Sequence, residues 1–533
     1  ALVNNTTGAH NVAVGYQTLY SVTTSGDNTA VGNYALYNNT SARNVAMGYT
    51  ALYENTTGSD NVALGMTSLR FNTSGTYNTA TGREALRNNT TANYNTAMGY
   101  QTLYSNTTGQ INTAVGQQTM MENTTGADNS ALGGYALGQN TSGSNNTAVG
   151  RQALQANTTA SYNTATGYQA LYSNTTSNSN VAVGHQSLYL NTTGAKNSVL
   201  GTNALDTNTT GANNVAIGFE ALSSNSTGSN NVVMGYQAAY STTGTYVTAL
   251  GYQSAFYTTT GNICAAGYQA GHNNTTGTGN TAVGRYRPLF TNTTGSNNTA
   301  IGDQALFSNT TAASNTAVGY QAMYQNTTGT RNVAVGYQAL ENNISNSYNT
   351  AVGYDALREN QGGTQNTAVG DSALLNNTTG TYNTAVGQGT MVSNTTASYN
   401  TGIGLNALYN ATTASHNTAV GHRAGVNATT GYDSVFMGSN AGASITTGWR
   451  NAYLGYQAGY LNQTSGANTA VGYAALYSST NGGNTAVGYI SLNNTSTGLY
   501  NTAIGQNSGA GNTSGSNNVY IGYDCYGNAG TSA

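Results

Sequence analysis

A glycine closing an Asn-x-Ala-apolar run, or a close variant of it, recurs 31 times in the 533 residues, from Gly15, Gly32, Gly48, Gly65 and Gly82 to Gly522. The spacing is 17 residues in all but five steps, four of which are 16 and one 18. A fixed period over a whole chain marks a repeat architecture, in which a unit buries its apolar face only against its neighbours. A single compact core is excluded as well, because such cores stop growing near ~250–300 residues. Helical repeats are excluded, since 17 residues with a central Gly and an Asn-Thr-Thr-Gly turn have no room for two helices. Disorder needs no register, and this chain keeps one.

The consensus is N-T-A-V-G-Y-Q-A-L-Y-x-N-T-T-G-x-x, numbered here from the first Asn so that the recurring Gly is fifth. That Asn is present in 28 of 31 copies, with Val247, Ile263 and Ser434 as exceptions, and the third position is Ala in 25. The fourth is apolar except at Thr81 and Thr166, and the ninth is mostly Leu. Positions one to five and seven to ten read as two short strands. In the copy at Asn315, Thr316 and Val318 share one face, read as core-facing through the apolar fourth position, while Asn315, Ala317 and Gly319 share the other. The expected fold is all-β: a parallel β-solenoid or β-roll of about 31 coils. At about 4.8 Å per coil the rod is on the order of 150 Å long. The leading asparagines, Asn11, Asn28, Asn44, Asn61, Asn78 and Asn95 among them, are expected to form a ladder that pairs side-chain amides from coil to coil.

The Asn-Thr-Thr-Gly segment is turn chemistry: Asn and Thr bond local backbone and Gly supplies positive φ. It also matches the acceptor pattern for N-glycosylation, at Asn55, Asn72, Asn106, Asn123, Asn157, Asn174, Asn191, Asn208, Asn309, Asn326, Asn377 and Asn394. A turn is where a glycan is accessible, but the same four residues simply make a good turn, copied with the repeat.

The array, residues 11–522, has two irregular stretches. Residues 236–302 contain two consecutive 16-residue steps, the 18-residue step and Pro288, and read as a local seam or a domain boundary, with Pro288 at a Leu position on a bulge or exposed edge. In 421–466, Gly425, Gly442 and Gly459 replace Leu while Phe436 and Tyr453 enter the third position, a volume trade across a narrow core. Segment 1–10 is a cap or the start of the first coil, and 523–533 a cap or tail.

Charge is sparse: 12 Lys and Arg, 15 Asp and Glu, 5% of residues. No basic cluster suits nucleic acid, and no apolar run reaches the ~18–20 residues of a membrane-spanning helix. The five histidines fall at different repeat positions, and no metal, cofactor or catalytic constellation emerges, so no enzyme is expected. A disulfide between Cys264 and Cys525 is excluded in a straight rod, and Cys525, in an Ala slot, reads as a buried thiol. A regular Thr row suits ice, but here the Thr pairs lie in turns and the strand Thr shares its face with the core-like fourth position. Tyr at the sixth and tenth positions suits carbohydrate contact or mutual cover of the rod surface.

Asn28–Ala35 and Asn214–Ala221 resemble the head repeat of trimeric autotransporter adhesins. The N-T-A-V-G-Y-Q-A-L-Y arrays of phage tail-fibre-like and bacterial surface-fibre proteins are more similar still. The resemblance implies a left-handed roll and an extracellular or cell-surface rod that self-associates, as a homotrimer or an end-to-end filament. Its expected role is that of a structural fibre, the alternative being an adhesin or tail-fibre shaft that binds surface glycans. The adhesin heads use a shorter repeat, and neither a heptad stalk nor an anchor barrel is expected from the residues of this sequence.

Overall fold

A computed structural model describes residues 1–526; the rest of the expected C-terminal cap or tail, 527–533, lies outside the described residues. It is an all-β parallel solenoid of about 30 turns, with 31 strands from β1 (Val12–Val14) to β31 (Val519–Ile521) and no helix among the described residues. The chain divides into two compact units, Ala1–Ile263 and Cys264–Ala533. Within each, successive strands pair in parallel with repeat positions matched: Thr79, Ala80 and Thr81 lie against Thr96, Ala97 and Met98 in the first, and Thr367, Ala368 and Val369 against Thr384, Ala385 and Val386 in the second. Residues 1–10 are not set apart, since the Leu2 and Thr6 amides donate to the carbonyls of Thr18 and Thr23.

Each regular coil holds one strand of three residues, at positions two to four, rather than the expected two. The seventh, ninth and seventeenth residues adopt left-handed backbone, as at Gln338 (φ 51), Leu340 (φ 54) and Tyr348 (φ 64). Alternating left-handed residues rule out an extended second strand, yet bonding between coils continues through them. The Gln338 amide donates to Tyr320 O in the preceding coil, and the Leu340 amide to Ala356 O in the following one. A left-handed non-glycine residue costs about 1–2 kcal/mol, comparable to the ~1.5–3 kcal/mol from burying its Leu side chain.

The core is thin and lies on the face opposite to the one expected. Ala at the third and eighth positions and Leu at the ninth are buried, as Ala317, Ala339 and Leu340 show at 0% exposure. The second and fourth positions point outward, with Val14, Leu132 and Met234 exposed at 58%, 52% and 48%. The fourth position is therefore surface. The fifth-position glycines stack on one another: Gly319 has φ +136, and a Cβ there would lie 2.3 Å from Gly336 O.

The irregular stretches have local explanations. The division between the units falls inside 236–302, where β15 (Thr245–Leu250), β16 (Gly261–Tyr268) and β17 (Asn280–Tyr286) are longer than the usual three residues. Pro288 is buried in the eighth, Ala-type position rather than on an exposed edge, and Leu289 fills the Leu slot. The volume trade is plain in 421–466: a Cβ on Gly425 or Gly442 would lie 2.6 Å from the Phe436 ring, and one on Gly459 2.4 Å from the Tyr453 ring.

Candidate functional site

The chemistry of the coil lies in rows of identical side chains. Two are asparagine. In the first-position row, each residue's own amide N–H bonds the side-chain oxygen of its predecessor. Asn28 to Asn11, Asn44 to Asn28, Asn61 to Asn44, Asn78 to Asn61 and Asn95 to Asn78 do so at 2.9–3.1 Å. The Nδ2 group donates onward to a turn carbonyl, Asn78 to Ala92 O at 2.8 Å. This row pairs side chain mainly with main chain, not amide with amide.

The amide-to-amide ladder is the twelfth-position row, which contains the asparagines that match the glycosylation acceptor pattern. Asn72 Nδ2 donates to Asn55 Oδ1 at 2.7 Å and to Gly75 O at 2.9 Å; Asn326 does the same to Asn309 Oδ1 and Gly329 O. Asn55, Asn72, Asn106, Asn123, Asn157, Asn174, Asn191, Asn208, Asn309, Asn326, Asn377 and Asn394 are all fully buried. The turn is accessible at its threonines, but its asparagine points inward, and in the folded coil the Nδ2 atom a glycan would need is enclosed and bonded. The sequence carried a sign of this: the same position is filled elsewhere by Val22, Ala411, Ala428 and Ile445, all buried.

Threonines form three rows. The first turn Thr closes onto the next coil, Thr378 Oγ1 donating to Thr395 O at 2.8 Å and Thr395 to Thr412 O at 3.1 Å. The second turn Thr, such as Thr328, is exposed. The strand Thr, at the second position, points outward beside the aliphatic fourth residue.

Aromatic rings at the sixth and tenth positions stack along the coils. Tyr320, Tyr337 and Tyr354 are 5.1 and 5.0 Å apart and nearly parallel, and His272, Phe290, Phe307 and Tyr324 form a second run at 5.1–5.3 Å. A sugar packs on a ring face, and inside these runs the faces already lie against neighbouring rings. Between the rows, seventh-position glutamines chain together, Gln338 to Gln321 and Gln321 to Gln304, at 3.0 Å.

Charged groups are local fasteners. Arg43 grips Asp60 across one coil at 2.6 and 2.9 Å and, with Ser59, pulls that carboxyl down to about 2. Arg358 sits among Glu341, Asp355 and Glu359, where burial pushes Glu341 and Asp355 up despite the cation. Among the described residues no group of three or more His, Cys, Asp or Glu is placed to hold a metal, and no helix is long and apolar enough to cross a membrane. Both cysteines are free; Cys264 is exposed, and Cys525, expected buried, is partly exposed. Depressions are open and shallow: one of about 420 Å³ where Gly389 replaces the seventh-position Gln, one of about 460 Å³ along Asn410, Thr412, Asn427 and Thr429.

Fold and surface together define the class, a β-solenoid repeat protein. No protein-family model matches the chain, and no curated protein matches it in sequence.

Proposed function

We propose that this chain is a structural element, a stiff extracellular rod without catalytic activity that works through its length and its resistance to proteolysis. One observation supports this most: in most coils the repeated asparagine, glutamine, first turn-threonine and aromatic side chains bond or stack on the neighbouring coil, so the groups that would recognise a ligand hold the solenoid together instead. Each unit, with about 15 coils at ~4.8 Å, is a rod on the order of 70 Å long. Twelve Lys and Arg in 533 residues leave few sites for trypsin-like proteases. Association with further copies, as a trimer or end to end, would thicken or extend the rod.

A shaft that binds surface glycans is the alternative. It is weakened by the stacked ring faces and retains the ends of the aromatic runs as contact points. Any sugar carried by the folded coil itself belongs on exposed hydroxyls such as Thr328 rather than on the sequon asparagines. Electron microscopy of the purified chain, followed by prolonged trypsin digestion, tests the reading. Thin straight rods that survive digestion are expected. Rounded particles, or rapid loss to small peptides, would overturn it.

A further inference from the structure

The outward strand face differs from the other rows. From Thr316 to Val420, seven consecutive coils carry a β-branched residue at both outward positions: six Thr and Val333 at the second, six Val and Ile403 at the fourth. Their strands are matched residue for residue. The side chains of Thr350, Thr367, Thr384, Thr401 and Thr418 make no hydrogen bond within the chain, unlike the first turn Thr. No charged residue occupies any of the fourteen positions.

The result is a lattice of hydroxyl and methyl groups at strand spacing, rigid because β-branched side chains have little rotamer freedom at χ1. Stacked side-chain ladders favour flat sheets over twisted ones. A protein partner is a poor fit. Seven strands cover roughly 30 Å by 7 Å, about 200 Å², against ~800 Å² per partner in a standard interface. The face also lacks the Trp, Tyr and Arg anchors that carry such interfaces, and an apolar partner would leave the hydroxyls unpaired. An uncharged face matches an uncharged occupant. Water held in a regular layer satisfies the hydroxyls, and the methyl groups order the water between them.

We propose that the Thr316–Val420 face binds the surface of ice. The hydroxyl rows hydrogen-bond lattice waters and the intervening valine and threonine methyls fit between them. Because the lattice is preformed, little ordering remains to oppose binding. The other coils of the same unit serve as a support, and the inference stands independently of the chain's biological use.

The test is the partition of the full chain between slowly grown ice and the remaining liquid, relative to serum albumin as an inert control. The wild-type chain is expected to be enriched several-fold in the ice fraction. The triple variant Thr367→Val, Thr384→Val, Thr401→Val keeps the shape, removes three hydroxyls and should lose most of that enrichment, and Thr384→Lys should abolish it. Circular dichroism and melting, unchanged in the isosteric valine variant, separate loss of binding from loss of fold. A wild-type chain excluded from ice like albumin overturns the proposal, as does a valine variant enriched as strongly as wild type. So does sedimentation showing copies joined through this face and separated by Thr384→Lys. Rods seen in the microscope with no ice enrichment would leave the structural reading standing and remove this one.

Discussion

The second unit contains two runs of coils that solve the same packing problem with different chemistry. From Asn274 to Asn394 the twelfth position is an unbroken asparagine row, the ninth position is Leu or Met after Gly271, and the third is Ala. In the coils that follow, the twelfth position becomes Ala411, Ala428 and Ile445, the ninth becomes Gly425, Gly442 and Gly459, and Phe436 and Tyr453 fill the space from the strand side. The strands still pair residue for residue through both. The join leaves a mark, since Asn394 Oδ1, with Ala411 in place of the next amide, has no hydrogen-bond partner. At the first position Ser434 takes over from Asn: its Oγ accepts the Asn451 amide at 3.1 Å, and its own amide reaches Asn417 Oδ1 at 3.0 Å. The coil backbone is thus set by small residues, stacked glycines and bonds between coils. Polar ladders and aromatic packing are interchangeable ways to fill it.

The largest expected effect comes from undoing the aromatic solution. Phe436→Ala should cost about 3–5 kcal/mol through the cavity it leaves, and Gly442→Leu about 1–3 kcal/mol by overpacking against the same ring. The double variant restores the consensus and should recover most of both losses; additive losses in chemical unfolding would break the comparison. Next is the polar solution. Asn343→Ala removes donors to Asn326 Oδ1 and Asn346 O and takes from the Asn360 amide one of its two acceptors, leaving it Gly363 O. A cost of about 1–3 kcal/mol is expected, read as faster hydrogen exchange in the flanking coils.

A smaller, pH-dependent effect separates the two runs further. Burial raises the pKa of Tyr453 well above its ordinary value, so the folded run keeps this phenol neutral. A raised folded pKa means its contribution is complete below pH ~10, the pKa of the unfolded phenol, and declines as pH rises above it. Melting temperatures from pH 8 upward should fall above that point, and Tyr453→Phe should flatten the fall. The smallest effect is expected at Val318→Asp, an outward position, within roughly 0.5 kcal/mol; a large loss in melting temperature would return the fourth position to the core.

The period and the all-β class were legible because one register runs through the whole chain. The face assignment was not. Val and Leu at the fourth position look like core beside Ala at the third, but in a coil this thin the space inside the strand is filled by Ala in most copies, with Val199, Val233, Phe436 and Tyr453 as buried exceptions, and the fourth-position residues go outward. The absence of a second strand is not legible, because Gln and Leu carry no signature of left-handed backbone; stacking imposes that conformation on residues that ordinarily avoid it. The inward turn of the sequon asparagines was readable in principle from Val22, Ala411, Ala428 and Ile445, which are core residues appearing in what looked like a solvent turn.

The coil-to-coil pairing has a consequence for how such a chain is made. Nearly every bond that shapes a coil joins residues one repeat apart, as Thr367 pairs with Thr384, so no part of the fold waits for a distant part to be synthesised. At ~5–20 residues per second a ribosome delivers one repeat in about one to three seconds, and each arriving repeat meets a finished edge of matching pattern. The chain can close like a zipper as it emerges, its growing end the template for the residues that follow.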